Sequence, residues 1–257
     1  MPTTASLRLP SGALATLELD PFGAGALVLA VNGVTQSHVS AADPTLLFFD
    51  YMRRMGNIID AAAPPREPLT VVHLGGGGLS LPRYVAATRP GSRQFVVEAE
   101  VGLIEFVLHA APLSAGASVE FVIADALAGL RSLAPRLAGA ASIVVCDVYA
   151  GLSTPAHLST GDFYAEVEEL ALAPDGIIVV NVADEADLEA TRSQLRALNA
   201  AVAHVAAIGP EGLLSGREAG NAVLIGSVSP RFHDWLPGIL AAGPHPAASR
   251  TPDEAGF

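Results

Sequence analysis

From Leu69 onward the sequence alternates between short apolar runs and segments of helical length, a rhythm that few folds accommodate. The runs are LTVVHL (69–74), RQFVVE (93–98), SVEFVIA (118–124), ASIVVCDV (141–148), GIIVVNVA (176–183), VAHVAAIG (202–209) and NAVLIGSV (221–228). Between them, residues 100–111, 126–137, 159–172 and 185–200 have helical character. Short runs that are apolar on both faces and separated by helices predict a mainly parallel sheet covered on both sides. The last two runs have no clear helix between them and read as an antiparallel pair at one edge. The expected class is therefore α/β, a Rossmann-like, doubly wound, mainly parallel sheet.

Upstream the pattern is different. Residues 7–37 read as strands, and Asn32-Gly33 is a strong hairpin turn signal. Residues 43–60 read as a helix with Asp43 as N-cap and Pro44 as its first residue. The rigid stretch APPREP (63–68) marks a boundary. This divides the chain into a small N-terminal β-hairpin domain with a connecting helix (1–62), a Rossmann-like domain (63–240) and a Pro/Ala/Gly-rich tail (241–257) expected to be disordered.

Composition narrows the function. Fourteen basic residues against 26 acidic ones give a net charge of −12, which argues against binding nucleic acid through its phosphates. Cys146 is the only cysteine, so an intrachain disulfide and a cysteine-based metal site are both excluded. No apolar run reaches the roughly 18 residues of a membrane span. The first 20 residues make a poor signal peptide. The expected setting is cytoplasmic, with no membrane partner. The seven histidines show no metal-ligand spacing, and no Gly-x-Ser-x-Gly elbow occurs. His73, in a core strand, reads as a satisfied buried histidine. Arg53 and Arg54 read as part of a solvated helix face.

VVHLGGGG (71–78) places four glycines after a strand and before a helix. Glycine admits positive φ and lets backbone N–H groups approach a ligand, and the helix N-terminus favours anionic groups. Gly75 and Gly77 give Gly-x-Gly, but Ser80 stands where the dinucleotide pattern has its third glycine, and no Gly-Lys-Ser/Thr follows. Glu98 ends the next strand, where a carboxylate accepts from ribose hydroxyls. Asp125, followed by Ala126, ends the one after that, where a carboxylate accepts from an exocyclic adenine amine. Glycine turn, acid and acid line one sheet edge in order. This fits an S-adenosylmethionine-type nucleoside site better than an NAD type, although NAD stays open on these residues alone. Glu98 and Asp125 could equally cap the helices that follow them. Asp147 ends the fourth run, placed to take a proton from an attacking amine or to brace the loop that follows.

With these blocks in place, VVHLGGGG, VVEAE, ADAL, DVYAG…TPAHLST…FY and the upstream NGVTQS together resemble the spermidine synthase family of aminopropyltransferases, in particular its divergent bacterial spermidine synthase-like members. The resemblance spans roughly residues 25–230. It implies a small β-domain before a Rossmann-like domain. It also implies decarboxylated S-adenosylmethionine as co-substrate, an amine acceptor such as putrescine, and a homodimer or tetramer. By position, it assigns Glu98 to ribose, Asp125 with Ala126 to adenine, and Gly75, Gly76 and Gly77 to the nucleoside. Gln36 would face the donor, Asp147 would be the base, and Tyr149, Asp50 and Tyr51 would border the acceptor. His157, in the loop after Asp147, could shape the acceptor pocket. Two departures stand out. The family's Gly-Gly-Gly-Asp becomes Gly-Gly-Gly-Gly at Gly78, and the second acid of its Asp-x-x-Asp loop becomes Ala150. Three readings therefore remain: an aminopropyltransferase with an altered acceptor site, an S-adenosylmethionine-dependent methyltransferase, or a non-catalytic nucleoside-binding or assembly protein.

Overall fold

The computed structural model describes residues 5–23, 25–151 and 153–254. Its first unit is an antiparallel sheet of four strands in sequential order: β1 (Ala5–Arg8), β2 (Leu14–Leu19), β3 (Leu27–Val31) and β4 (Val34–Val39). Asn32 and Gly33 join β3 to β4 with φ of 50° and 78°, the left-handed pair that a tight hairpin requires.

The second unit is a sheet of eight strands. Helix α1 (Asp50–Ala61) precedes β5 (Thr70–Leu74), α2 (Ser80–Thr88), β6 (Arg93–Glu98), α3 (Leu103–Ala110), β7 (Ser118–Ile123), α4 (Ala126–Leu137) and β8 (Ala141–Cys146). There follow α5 (Gly161–Ala171), β9 (Leu172–Asp184), α6 (Glu189–Ala201), β10 (His204–Pro210), α7 (Glu211–Leu214), β11 (Gly220–Ser227), α8 (Leu236–Ala242) and β12 (Ala247–Arg250). The order across the sheet is β12-β10-β11-β9-β8-β5-β6-β7. Strands β5 to β9 are mutually parallel, whereas β10, β11 and β12 join antiparallel. The doubly wound α/β class is as the sequence predicts.

Alternation along each strand feeds two cores. Val72, Leu74, Val144 and Cys146 point into a cluster that includes Leu130, Phe163 and Leu198 from α4, α5 and α6. Val71, Ile143 and Val145 point the other way, onto Met55 and Ile59 of α1. A third cluster joins Leu17 and Leu29 of the small sheet to Ile104 and Val107 of α3. This third core seats the small sheet over the carboxyl ends of the parallel strands, where open α/β sheets bind ligands.

Four sequence expectations change. The helix at 43–60 begins only at Asp50, because Asp43 Oδ1 accepts from the Thr45 N–H at 3.0 Å and makes a local turn instead of a cap. The pair β10–β11 is antiparallel but not at the edge, since β12 pairs outside β10. The tail expected to be disordered therefore contributes a strand, held by ladder bonds from Ala247 to Arg250; its last residues, 255–257, lie outside the described residues. Arg54 is not on a solvated face: it is 2% exposed and donates to the Pro244 carbonyl at 2.9 Å. Among the described residues no helix is long and apolar enough to cross a membrane.

Candidate functional site

Gly75 leaves β5 with φ of +95°, and a Cβ there would overlap the carbonyl oxygen of Asp147, so this turn admits only glycine. The turn's N–H groups are spoken for. Gly75 donates to the Val97 carbonyl at 2.9 Å. Gly76 and Gly77 donate to Glu98 Oε2 at 2.9 and 3.3 Å, and Gly78 donates to the Ser37 hydroxyl at 2.9 Å. The open anion cradle expected from the glycines is thus absent, because a carboxylate and a hydroxyl of the same chain already fill it.

Glu98 ends β6 at the centre of this arrangement and also accepts from the Glu100 N–H, through Oε1 at 2.9 Å. Three N–H donors hold its charge in place beneath the small sheet. Asp125 caps α4, accepting from Leu127 and Ala128 N–H through Oδ1 at 3.1 and 3.3 Å. Its other oxygen meets His157 Nε2 at 2.9 Å. Burial raises the pKa of Asp125, the His157 bond lowers it, and the net effect is a carboxyl below its ordinary value.

Asp147 follows β8. Burial pushes its carboxyl up to about 6, against the opposing pull of Asn181 Nδ2, which donates to Oδ1 at 2.8 Å. Asn181 Oδ1 accepts in turn from Asn221 Nδ2 at 3.0 Å. The Tyr149 hydroxyl accepts from the Ala183 N–H at 2.7 Å and donates to the Asn181 carbonyl at 3.2 Å. Burial first, then the nearby Asp147 charge, pushes both the Tyr51 and Tyr149 phenols up, so both remain protonated and neutral. Asn181 and Asn221 were not found by sequence reasoning. The one signal was an amide interrupting the apolar run GIIVVNVA.

These groups line one cavity of about 920 Å³. Gln36 and Ser37 of β4 enter from the small sheet, Gly75, Gly76, Gly77, Glu98, Asp125, Ala126, Asp147 and Tyr149 from the end of the large one, and Tyr51 from α1. Asp50 does not enter. Its side chain is 63% exposed and faces Arg53 at 3.7 Å, because the helix turns it outward one position before Tyr51. Glu98, Glu100, Asp125 and Asp147 are the lining carboxylates, and no Lys or Arg is among the lining residues. His73 also lines the cavity, but burial holds it down at about 4 despite the Gln94 bond, so it is neutral. Among the described residues there is no cluster of His, Cys, Asp and Glu able to hold a metal ion.

A probable spermidine synthase from Corynebacterium glutamicum superposes on this structure with a TM-score of 0.83, covering 98% of this chain and 91% of its own at 28% identity. The chain is thus spermidine synthase-like in structure over nearly its whole length. A spermidine synthase solved with the transition-state analogue AdoDATO matches at a TM-score of 0.59 and 17% identity, covering 88% of this chain and 72% of its own. Human methyltransferase-like protein 13 in complex with SAH matches at 0.58 and 21%, covering 75% and 87% respectively, a likeness of fold alone. No protein-family model matches the chain, and no match was found among curated proteins.

Relative to the spermidine synthase pattern, the place of the missing acid at Gly78 is filled from the small sheet. A Cβ there would come within 2.5 Å of Val39 and 2.6 Å of Ser37. At the second departure, Ala150 lines the cavity and carries no charge, with its N–H donating to the Ser153 carbonyl at 2.9 Å.

Proposed function

We propose that the chain is a transferase that moves an aminopropyl group from decarboxylated S-adenosylmethionine to an amine. The charge of the cavity carries this reading: four carboxylates line it and neither Lys nor Arg does. A sulfonium and an ammonium both gain from such a lining. The carboxylate of intact S-adenosylmethionine would enter unpaired, and the N–H groups of the glycine turn are already occupied by Glu98 and Ser37. Burying an unpaired charge costs several kcal/mol. An adenosyl-type co-substrate is further supported by the AdoDATO and SAH complexes of proteins sharing the fold.

In this reading Glu98 faces the ribose hydroxyls and Asp125, beside Ala126, the adenine amine. Gln36 covers the donor from the small sheet, and Tyr51 and Tyr149 flank the reacting end. The acceptor nitrogen forms a bond to the aminopropyl carbon as the carbon–sulfur bond breaks. The electron pair leaves with sulfur, giving methylthioadenosine, and the displaced proton goes to Asp147. A carboxyl with a pKa near 6 is ionised at neutral pH yet basic enough to accept it. Positioning of donor and acceptor supplies the rest.

The test is calorimetric titration with decarboxylated S-adenosylmethionine, S-adenosylmethionine and methylthioadenosine, followed by an assay of methylthioadenosine release with an amine. Tighter binding of the decarboxylated donor supports the proposal. Tighter binding of the intact donor transfers the reading to methyl transfer, and binding of none removes the nucleoside site altogether.

A further inference from the structure

We propose that the acceptor is a monoamine, a primary amine whose remaining part carries no second positive charge. This rests on the transferase reading above and deepens it. The observation is the uneven placing of charge along the sheet edge. Strand order lays Asp125, Glu98, Gly75, Asp147, Asn181 and Asn221 side by side, contributed by the ends of β7, β6, β5, β8 and β9 and the start of β11. The carboxylates occupy one half, with Asp147 last in the row.

Beyond Asp147 the lining is uncharged. Asn181 and Asn221 come from β9 and β11, Tyr149 from the loop after β8, and Phe49, Tyr51 and Met52 from the start of α1. Helix α1 packs against β10 and β11, which fixes this aromatic and thioether wall on the same side. Phe49 and Tyr51 stack with ring centroids 6.0 Å apart. No phenolate compensates for the missing acids, since both tyrosines are held protonated. Two acids close in sequence turn elsewhere. Asp50 faces solvent and Arg53. Asp184 accepts from the N–H group of Glu185 next to it and from those of Ala190 and Thr191 in the first turn of α6.

An acceptor's attacking nitrogen thus meets Asp147, but a second ammonium at the far end would enter a region lined by amides, rings and a thioether. Desolvating that charge without a partner is costly, whereas an alkyl or aromatic tail gains by burial there. The acceptor's chemical class follows: one amine, with an uncharged apolar or aromatic remainder.

The experiment compares n-butylamine with putrescine, which have the same carbon chain and differ by one amine, with phenethylamine as an aromatic case. Two readouts are used. One is calorimetric binding of each amine to protein saturated with methylthioadenosine. The other is kcat/KM for methylthioadenosine release from decarboxylated S-adenosylmethionine. Butylamine is expected to exceed putrescine at least tenfold in each. Ala150→Asp, at an exposed cavity-lining position, is expected to shift the ratio toward putrescine by a similar factor. Putrescine binding as tightly as butylamine, or a ratio indifferent to Ala150→Asp, overturns the inference. Failure of the protein to bind the decarboxylated donor strikes instead at the transferase reading, so the two failures are told apart by the donor titration.

Discussion

The Gly78 N–H donates to the Ser37 hydroxyl across 2.9 Å, tying the first turn of the large domain to the last strand of the small sheet. A side chain at position 78 would strike both Ser37 and Val39. Gly78→Asp, which restores the acid of the spermidine synthase pattern, is therefore expected to destabilise the protein by about 1–3 kcal/mol through overpacking. It is not expected to improve donor binding. Ser37→Ala should cost about 1 kcal/mol for the lost bond. Urea unfolding of the two variants checks both figures, and a Gly78→Asp protein as stable as the parent would contradict the packing described here.

Asp147 gives a pH dependence of definite sign. Its folded pKa, about 6, is raised above the ordinary 3.8. The folded state therefore binds a proton more readily than the unfolded one between these values, and stability falls as pH rises through that window. At roughly 1.4 kcal/mol per unit, the burial penalty reaches roughly 3 kcal/mol at neutral pH and above. Asp147→Asn keeps an acceptor for Asn181 and carries no charge. It is expected to be more stable than the parent at pH 8, with the difference vanishing as the pH falls below about 3.8. The same substitution should lower kcat/KM by about 10²–10⁴, and the parent's rate should fall as pH drops below about 6. A variant that gained stability and kept full activity would leave Asp147 a structural acid only.

Much of this architecture was legible in the sequence, and the unread parts share a physical cause. Continuous apolar runs located β6 to the residue and β5 and β7 to β11 to within a few, because a strand buried on both faces is apolar on both; β12, in the tail expected to be disordered, was missed. Asp125 and Ala126 fell at the start of α4 as the pattern indicated. What failed depended on local competition or on distant pairing. Asp43 looked like a helix cap but makes its own turn with Thr45. Asp50 and Tyr51 differ by one helical position, and only the packing of α1 decides which enters the cavity. Asn181 and Asn221 are 40 residues apart and meet only because β9 and β11 pair antiparallel. The filling of the glycine turn by Glu98 and Ser37 likewise needs three strands assembled at once.

Arg89 is 1% exposed and donates to four backbone carbonyls, those of Asp60, Ala63, Pro64 and Glu67, at distances from 2.8 to 3.2 Å. It thereby fixes the proline-containing connector between α1 and β5. Arg89→Met fills similar volume but leaves those oxygens without their donor. Hydrogen bonds to a charged group contribute about 1.5–3 kcal/mol each where water does not replace them, and the residues that carry these carbonyls are half-buried to exposed, so a total loss of about 3 kcal/mol is expected by urea denaturation. Arg89→Lys should recover only part of it, because one ammonium cannot reproduce the guanidinium's planar array of donors.

Asp125 serves two roles that substitution can separate. As the α4 cap it accepts through Oδ1, and as a proposed adenine acceptor it would use Oδ2, the oxygen now facing His157. Asparagine caps helices about as well as aspartate, whereas alanine costs about 1 kcal/mol. Asp125→Asn is therefore expected to unfold with the parent and Asp125→Ala to unfold earlier. In Asp125→Asn, an amide oxygen retained on the cap leaves an NH₂ group where Oδ2 was, facing the exocyclic amine donor to donor. Methylthioadenosine binding should weaken about tenfold or more in both variants, the loss in Asp125→Asn coming without a change in stability. Wild-type affinity in Asp125→Asn would reduce Asp125 to a helix cap and leave the adenine to be recognised by apolar contact and backbone alone.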